Sequence, residues 1–128
     1  MTATLLDPRL SALDELRWQV GNTPLHRIVH LNPKPGVKVY AKLEWQQFGG
    51  SVKARPAYNI LWNALASGAL KGRRLLDASS GNTGIAYAIF AAAAGIPVTL
   101  CVPENASKER KQILRSLGVE LVLTSPCE

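Results

Sequence analysis

Residues 73–103 read RRLLDASSGNTGIAYAIFAAAAGIPVTLCVP. RRLLDAS, 73–79, has the apolar centre and short polar end of a strand running into a turn. From Asn82 to Ala94 alanine dominates, a strong helix former, and Gly95 supplies a stop. PVTLCVP, apolar except for Thr99, then reads as a buried strand. Strand, helix and strand in immediate succession predict a βαβ unit, whose two strands run parallel.

The pattern extends in both directions. Downstream, a helix is expected from about Ser107 to Leu117, ended by Gly118, and VELVLT at 119–124 is a last strand. Upstream, YNILWNALAS places apolar residues at helical spacing in a helix near 55–67, with Gly68 as its stop. VKVYAKLE, 37–44, reads as a strand, NPKPG, 32–36, as a loop, and GNTPLHRIVH as a turn that passes into alternation. SALDELRWQV, 11–20, carries a short helical pattern. Strands and helices in this order, with short loops, predict an α/β fold: a parallel sheet covered by helices, built from right-handed βαβ units. No internal repeat and no low-complexity linker interrupts it.

With 128 residues, 47% of them hydrophobic, the chain is long enough to bury a core. Its net charge of +6 raises the possibility of an anionic partner. The densest basic run, KERKQILR at 108–115, lies next to Glu104 and includes Glu109, with no aromatic residue interleaved for base stacking. It reads as a solvated helix face, and no nucleic acid is expected. Cys101 and Cys127 have no metal or redox spacing, so no metal site is expected and Cys101 reads as a small core residue. The start, MTATLLDPRL, lacks a signal-peptide pattern, and the longest apolar run, IAYAIFAAAAGIPV, is too short for a bilayer. The expected location is the cytoplasm, with no membrane contact.

Two stretches carry chemistry. DASSGNTGIA, 77–86, falls where a strand ends and a helix begins, the crevice at which α/β proteins bind ligands. Ser79, Ser80, Asn82 and Thr83 offer short polar side chains. Gly81 and Gly84 let backbone N–H groups approach an anion at a helix N-terminus. A plain capped turn would look similar. A dinucleotide fingerprint would also fit, with Ser79 in place of its first glycine and Glu104 as the ribose acid, but the missing glycine is the one that forms the tight turn. The second stretch is GGSVKARPA, 49–57. It puts Lys53 at a helix start, where the free N–H groups and Arg55 both disfavour a second cation. That makes Lys53 a better amine nucleophile. The helix end contributes only roughly 0.3–1 kcal/mol, too little by itself to neutralise a lysine of pKa about 10.4. A solvated surface lysine is the plain alternative.

GNTPL (21–25), GGSVKARPA (49–57) and SSGNTGIA (79–86), in this order and spacing, resemble the cysteine synthases, fold-type II pyridoxal-phosphate enzymes of tryptophan-synthase-β-like fold. The likeness runs from about residue 18 through GIPVTLCVPENASKERKQILRSLGVELVLT. It implies that Lys53 holds pyridoxal 5'-phosphate as an imine and later takes the substrate's α-proton. It implies that Asn82 bonds the cofactor's ring oxygen, and that Ser79, Ser80, Gly81, Asn82 and Thr83 grip the substrate carboxylate. The implied reaction is β-replacement on an activated serine, O-acetylserine or O-phosphoserine, by sulfide to give L-cysteine, in a homodimer. Ala54 departs from an acidic residue common in the family, and Ser79 from a threonine. Asn82-Thr83 argues against the dehydratase branch, where histidine usually follows that asparagine.

The resemblance also implies parts that these 128 residues lack: a glycine-rich loop for the cofactor phosphate and a hydroxyl residue at the pyridine nitrogen. The expectation is therefore the N-terminal part of a longer enzyme, inactive alone. The strands within about 1–45 would pack on a larger C-terminal domain, and about 46–128 would form the smaller N-terminal domain. A non-catalytic α/β module that binds an anion or a protein is the alternative.

Overall fold

The computed structural model describes residues 7–31 and 34–126. The sequence-based readings for Cys127 and for part of the NPKPG loop lie outside them. Helix α1 (Pro8–Glu15) begins with proline at its first turn, and the Asp7 carboxylate accepts from Arg9 N at 3.0 Å. A two-stranded antiparallel sheet follows, β1 (Leu25–Ile28) with β2 (Val39–Lys42), in the register Leu25↔Lys42 and Ile28↔Val39. Helix α2 (Ala54–Ala66) leads to β3 (Leu75–Ala78), α3 (Asn82–Ala94), β4 (Val98–Pro103), α4 (Lys108–Ser116) and β5 (Glu120–Thr124). Strands β3, β4 and β5 form a parallel sheet with β4 in the centre.

The expected strand at 37–44 is shorter than its pattern suggested and stands apart from the parallel sheet. Its backbone groups are taken by β1, which leaves three parallel strands and a separate hairpin.

Helix α3 is the centre of the core. It is apolar almost all round, and Ala86, Tyr87, Ala88, Phe90, Ala91 and Ala94 are buried. Helices α1 and α2 pack on it from one side, through Leu10, Leu13, Leu61 and Leu65, while β4 and α4 meet it from the other. The Phe90 ring lies 5.5 Å from Phe48 and 5.7 Å from Tyr58, tilted and edge-on, as aromatic quadrupoles prefer. Helix α4 is mostly exposed and is anchored by one fully buried side chain, Leu114.

The parallel sheet is covered unevenly. Along β3, Leu75 and Asp77 are half-buried, whereas Leu76 and Ala78 are exposed; Val122 of β5 is exposed as well. A polar strap crosses this outer face, where Arg74 Nη1 donates to Thr99 Oγ1 at 2.7 Å and pairs with Glu120. Cys101 was expected in the core; it is half-buried, between the fully buried Leu100 and Val102. Alternation along the strand points its side chain away from them. Among the described residues no helix is long and apolar enough to cross a membrane.

Candidate active site

The turn between β3 and α3 gathers Ser79, Ser80, Gly81, Asn82 and Thr83 at the C-terminal edge of the sheet. Its geometry is held by Ser79, whose Oγ accepts from Gly84 N at 3.0 Å and from Gly81 N at 3.4 Å. This is a helix cap supplied from two residues before the usual position. Gly84 permits the close approach: a Cβ there would lie 2.7 Å from the Ser79 carbonyl oxygen and 3.0 Å from Leu100 Cδ1. A Cβ on Gly81, by contrast, would meet nothing within 4 Å, so the outer side of the turn is open. The N–H groups of Asn82 and Thr83, in the first turn of α3, find no acceptor among the described residues. With the helix dipole behind them they are free donors for an anion. Because the Ser79 oxygen already accepts two N–H groups, its own proton is available to donate outward.

The basic run at 108–115 is more than a solvated face. Arg110 Nη1 donates to the Ser80 carbonyl at 3.3 Å, so α4 braces the turn and places a cation beside it.

Lys53 lies at the N-cap of α2, following a turn in which Gly49 and Gly50 take φ of +92° and +74°. Those left-handed values favour glycine. Gly49 also abuts α3, since a Cβ there would come within 3.1 Å of Ile89 Cδ1. Lys53 N donates to Ser51 Oγ at 3.3 Å, while the side-chain amine is exposed and has no hydrogen-bond or ion-pair partner among the described residues. Helices α2 and α3 pack together, which joins the lysine-bearing element to the one that carries the turn.

Sequence reasoning missed the polar network that fixes the start of α2. Arg55 was read as a second free cation beside Lys53. Instead it grips Glu44, Nη2 to Oε1 at 2.8 Å and Nε to Oε2 at 3.0 Å. Thr23 Oγ1 donates to Glu44 Oε1 at 2.9 Å, Gln47 Nε2 donates to Oε2 at 3.1 Å, and Gly21 N donates to Gln47 Oε1 at 2.9 Å. Arg55 holds the Glu44 carboxyl at about 2, far below its ordinary range, with smaller help from Thr23 and Gln47 against the opposing effect of burial. Thr23 and Gln47 are themselves buried. GNTPL is thus tied to GGSVKARPA by side chains. The signal that could have found this was the pair Glu44 and Arg55, opposite charges flanking a glycine turn.

A shallow cleft of about 650 Å³ lined by Arg9, Arg73, Arg74 and Leu76 opens at the other end of β3, remote from the turn. No group of three or more His, Cys, Asp or Glu among the described residues could hold a metal ion.

Residues 16–126 match the family described as pyridoxal-phosphate dependent enzyme. The chain belongs to that family. It is 45% identical over 126 residues to the cysteine synthase of Aquifex aeolicus, covering 95% of this chain and 38% of that protein. With the cysteine synthase of Haemophilus influenzae it shares 48% identity over 108 residues, covering 84% and 34%. The crystal structure of cysteine synthase from Entamoeba histolytica superposes with a TM-score of 0.79 at 35% identity, over 89% of this chain and 34% of that one. O-ureido-L-serine synthase gives 0.78 at 37%, over 89% and 35%. The fold is therefore that of the fold-type II pyridoxal-phosphate enzymes, and the chain spans little more than a third of the length of these relatives.

The family's cofactor is pyridoxal 5'-phosphate, and the residues present fit its chemistry. A primary amine without a partner is available to an aldehyde, and an open turn with two free N–H donors is available to an anionic group.

Proposed function

We propose that this chain supplies the lysine and the carboxylate-binding turn of a pyridoxal-phosphate-dependent cysteine synthase, a transferase or lyase type of β-replacement. The observation that carries this reading is the Lys53 amine, exposed and unpartnered at the start of a helix packed on α3. Lys53 would hold the cofactor through its side-chain amine and would take the α-proton of the bound amino acid. Asn82 would hydrogen-bond the cofactor's ring oxygen. The free N–H groups of Asn82 and Thr83 and the hydroxyls of Ser79, Ser80 and Thr83 hold the substrate carboxylate, and Gly81 leaves room for it. When bound, the cofactor supplies the electron sink for loss and addition of groups at the β-carbon.

The donor is an activated serine, O-acetylserine or O-phosphoserine, the acceptor is sulfide and the product is L-cysteine. The full assembly is a cytoplasmic homodimer that acts on small molecules without nucleic acid. Residues 1–128 alone do not complete the reaction: about 46–128 form the smaller domain, and the strands within about 1–45 pack on a larger one. The exposed β1–β2 hairpin and the open sheet face support that arrangement. The competing reading, a non-catalytic anion- or protein-binding module, draws on the fact that the 79–84 turn is built wholly from this chain.

The deciding experiment is to incubate the protein with pyridoxal phosphate, reduce with borohydride and map the modified peptide. Modification concentrated on Lys53 and absent from Lys53→Ala supports the enzyme reading. Labelling spread evenly over Lys38, Lys42, Lys71 and Lys108 removes it. An anion affinity unchanged in Lys53→Ala, with no selective labelling, favours the module.

A further inference from the structure

The two cations at the start of α2 look in different directions. Lys53 already has helical φ and ψ of −70° and −14°, and its carbonyl accepts from Ala57 N at 3.1 Å. Successive side chains on a helix are turned by about 100°, so Lys53 and Arg55 stand about 200° apart and do not face each other. Between them lies the buried side of α2, formed by Ala54, Ala57, Tyr58, Leu61 and Leu65. Lys53 is exposed on one flank of that seam, and Arg55, on the other, is half-buried.

Arg55 is where this first turn is fastened. Its Nε and Nη2 hold both Glu44 oxygens, and Nη2 also donates to Thr23 Oγ1 at 3.3 Å. Each Glu44 oxygen accepts a second donor, Oε1 from Thr23 and Oε2 from Gln47, which fills the roughly four acceptor positions of a carboxylate. None is left for the Lys53 ammonium. With its pKa held at about 2, chiefly by Arg55, Glu44 is fully ionised at neutral pH. Among the described residues, no other side-chain hydrogen bond joins residues 53–57 to another element. The seam adds apolar packing but no polar anchor there. Ala54 and Ala57 are small, and the buried Tyr58 hydroxyl meets no atom with hydrogen-bond geometry.

We infer that Arg55 and Glu44 are positioning residues for Lys53: their clamp stops α2 from turning at its first residues and so fixes the direction in which the lysine side chain leaves the helix. The inference rests on the reading of Lys53 as the cofactor lysine. Packing of two alanines tolerates small rotations, whereas two parallel hydrogen bonds from a planar guanidinium do not. A rotation at residue 55 is carried to residue 53 by the helical backbone that they share. An amine that must meet an aldehyde is sensitive to this, since a misplacement of about 1 Å can cost about 100-fold in rate. The filling of Glu44 serves the same end, because a carboxylate with spare acceptors would draw the ammonium aside. Thr23 and Gln47 are buried, so the clamp is rooted in the body of the protein rather than in its surface.

The test treats the full chain with pyridoxal phosphate, traps with borohydride and reads the label on Lys53 relative to Lys38, Lys42, Lys71 and Lys108. In the labelling, the lysine nitrogen bonds the aldehyde carbon as water leaves, and hydride from the borohydride makes the bond permanent. All variants are held below the onset of unfolding, as followed by circular dichroism. Glu44→Gln removes the charge, and Arg55→Lys keeps the charge but loses the fork. Each is expected to lower the Lys53 preference by about tenfold. Glu44→Asp keeps an ionised acceptor and should recover part of that loss. Leu114→Ala, which weakens α4 without touching the clamp, should label Lys53 as the parent does. A parent with no preference for Lys53 removes the cofactor-lysine reading and this inference with it. With a selective parent, the inference alone is overturned if Glu44→Gln or Arg55→Lys keeps the preference. It is equally overturned if Glu44→Asp does no better than Glu44→Gln, or if Leu114→Ala loses as much.

Discussion

Glu44 shows how one carboxylate can carry a pH dependence. Its folded pKa, about 2, lies below the ordinary value of 4.5, chiefly because Arg55 hydrogen-bonds the ionised form. A depressed folded pKa stabilises the protein above the unfolded pKa, and that contribution is lost as pH falls toward the folded value. Glu44→Gln should therefore lower the urea midpoint at neutral pH. Its difference from the parent should stay constant above about pH 5 and shrink between about pH 4.5 and 2. A difference that does not vary with pH would mean that the ionised Glu44–Arg55 pair is not its source. Gly84 makes a steric prediction of the same kind. Gly84→Ala forces a carbon against the Ser79 carbonyl and should cost about 1–3 kcal/mol in chemical denaturation, whereas Gly81→Ala meets open space and should cost much less. Because Gly84 N makes one of the two bonds that shape the Ser79 turn, the first variant should also weaken the carboxylate binding proposed there.

At the level of elements, α4 depends on few contacts. Leu114 is its only buried residue, and Arg110 is its hydrogen bond to the 79–83 turn. Leu114→Ala should cost about 2–5 kcal/mol. The loss should appear in hydrogen exchange as early opening of α4 and β5, with α3 still protected, since α3 is buried by α1, α2 and β4. Arg110→Ala should leave global stability nearly unchanged while speeding exchange at Gly81 and Asn82. Equal protection in parent and variant would show that α4 does not brace the turn.

Across the whole molecule, burial is unequal. Parallel sheets are ordinarily covered on both faces, yet Leu76 is 66% exposed and Val122 43% on the outer face of this one. The β1–β2 hairpin likewise exposes Leu25, Val39 and Tyr40, and an isolated two-stranded sheet is marginal in water. Amides within 25–28 and 39–42 should therefore exchange well before those of 98–103. The reverse order would contradict the burial pattern.

Element type and several element boundaries were legible because their causes are local. Helix α3 runs from Asn82 to Ala94 as read, since alanine content and a glycine stop at Gly95, φ +67°, act within a few residues of chain. The grouping of Ser79 through Thr83 was legible for the same reason: they are contiguous, and a strand-to-helix turn holds them together. Interactions between distant parts of the chain were not legible. The pairing of β2 with β1, the commitment of Arg55 to Glu44, the reach of Arg110 to Ser80 and the orphan hydroxyl of Tyr58 each depend on residues brought close only by packing. Periodicity states which face of an element is apolar, and caps state where it ends. Neither states which surface will meet that face, because that is decided by the mutual burial of many side chains. The sequence by itself determined the α/β order, the helix ends and the motifs. Tertiary structure alone decided which charges were spent in pairs and which were left free to meet a ligand.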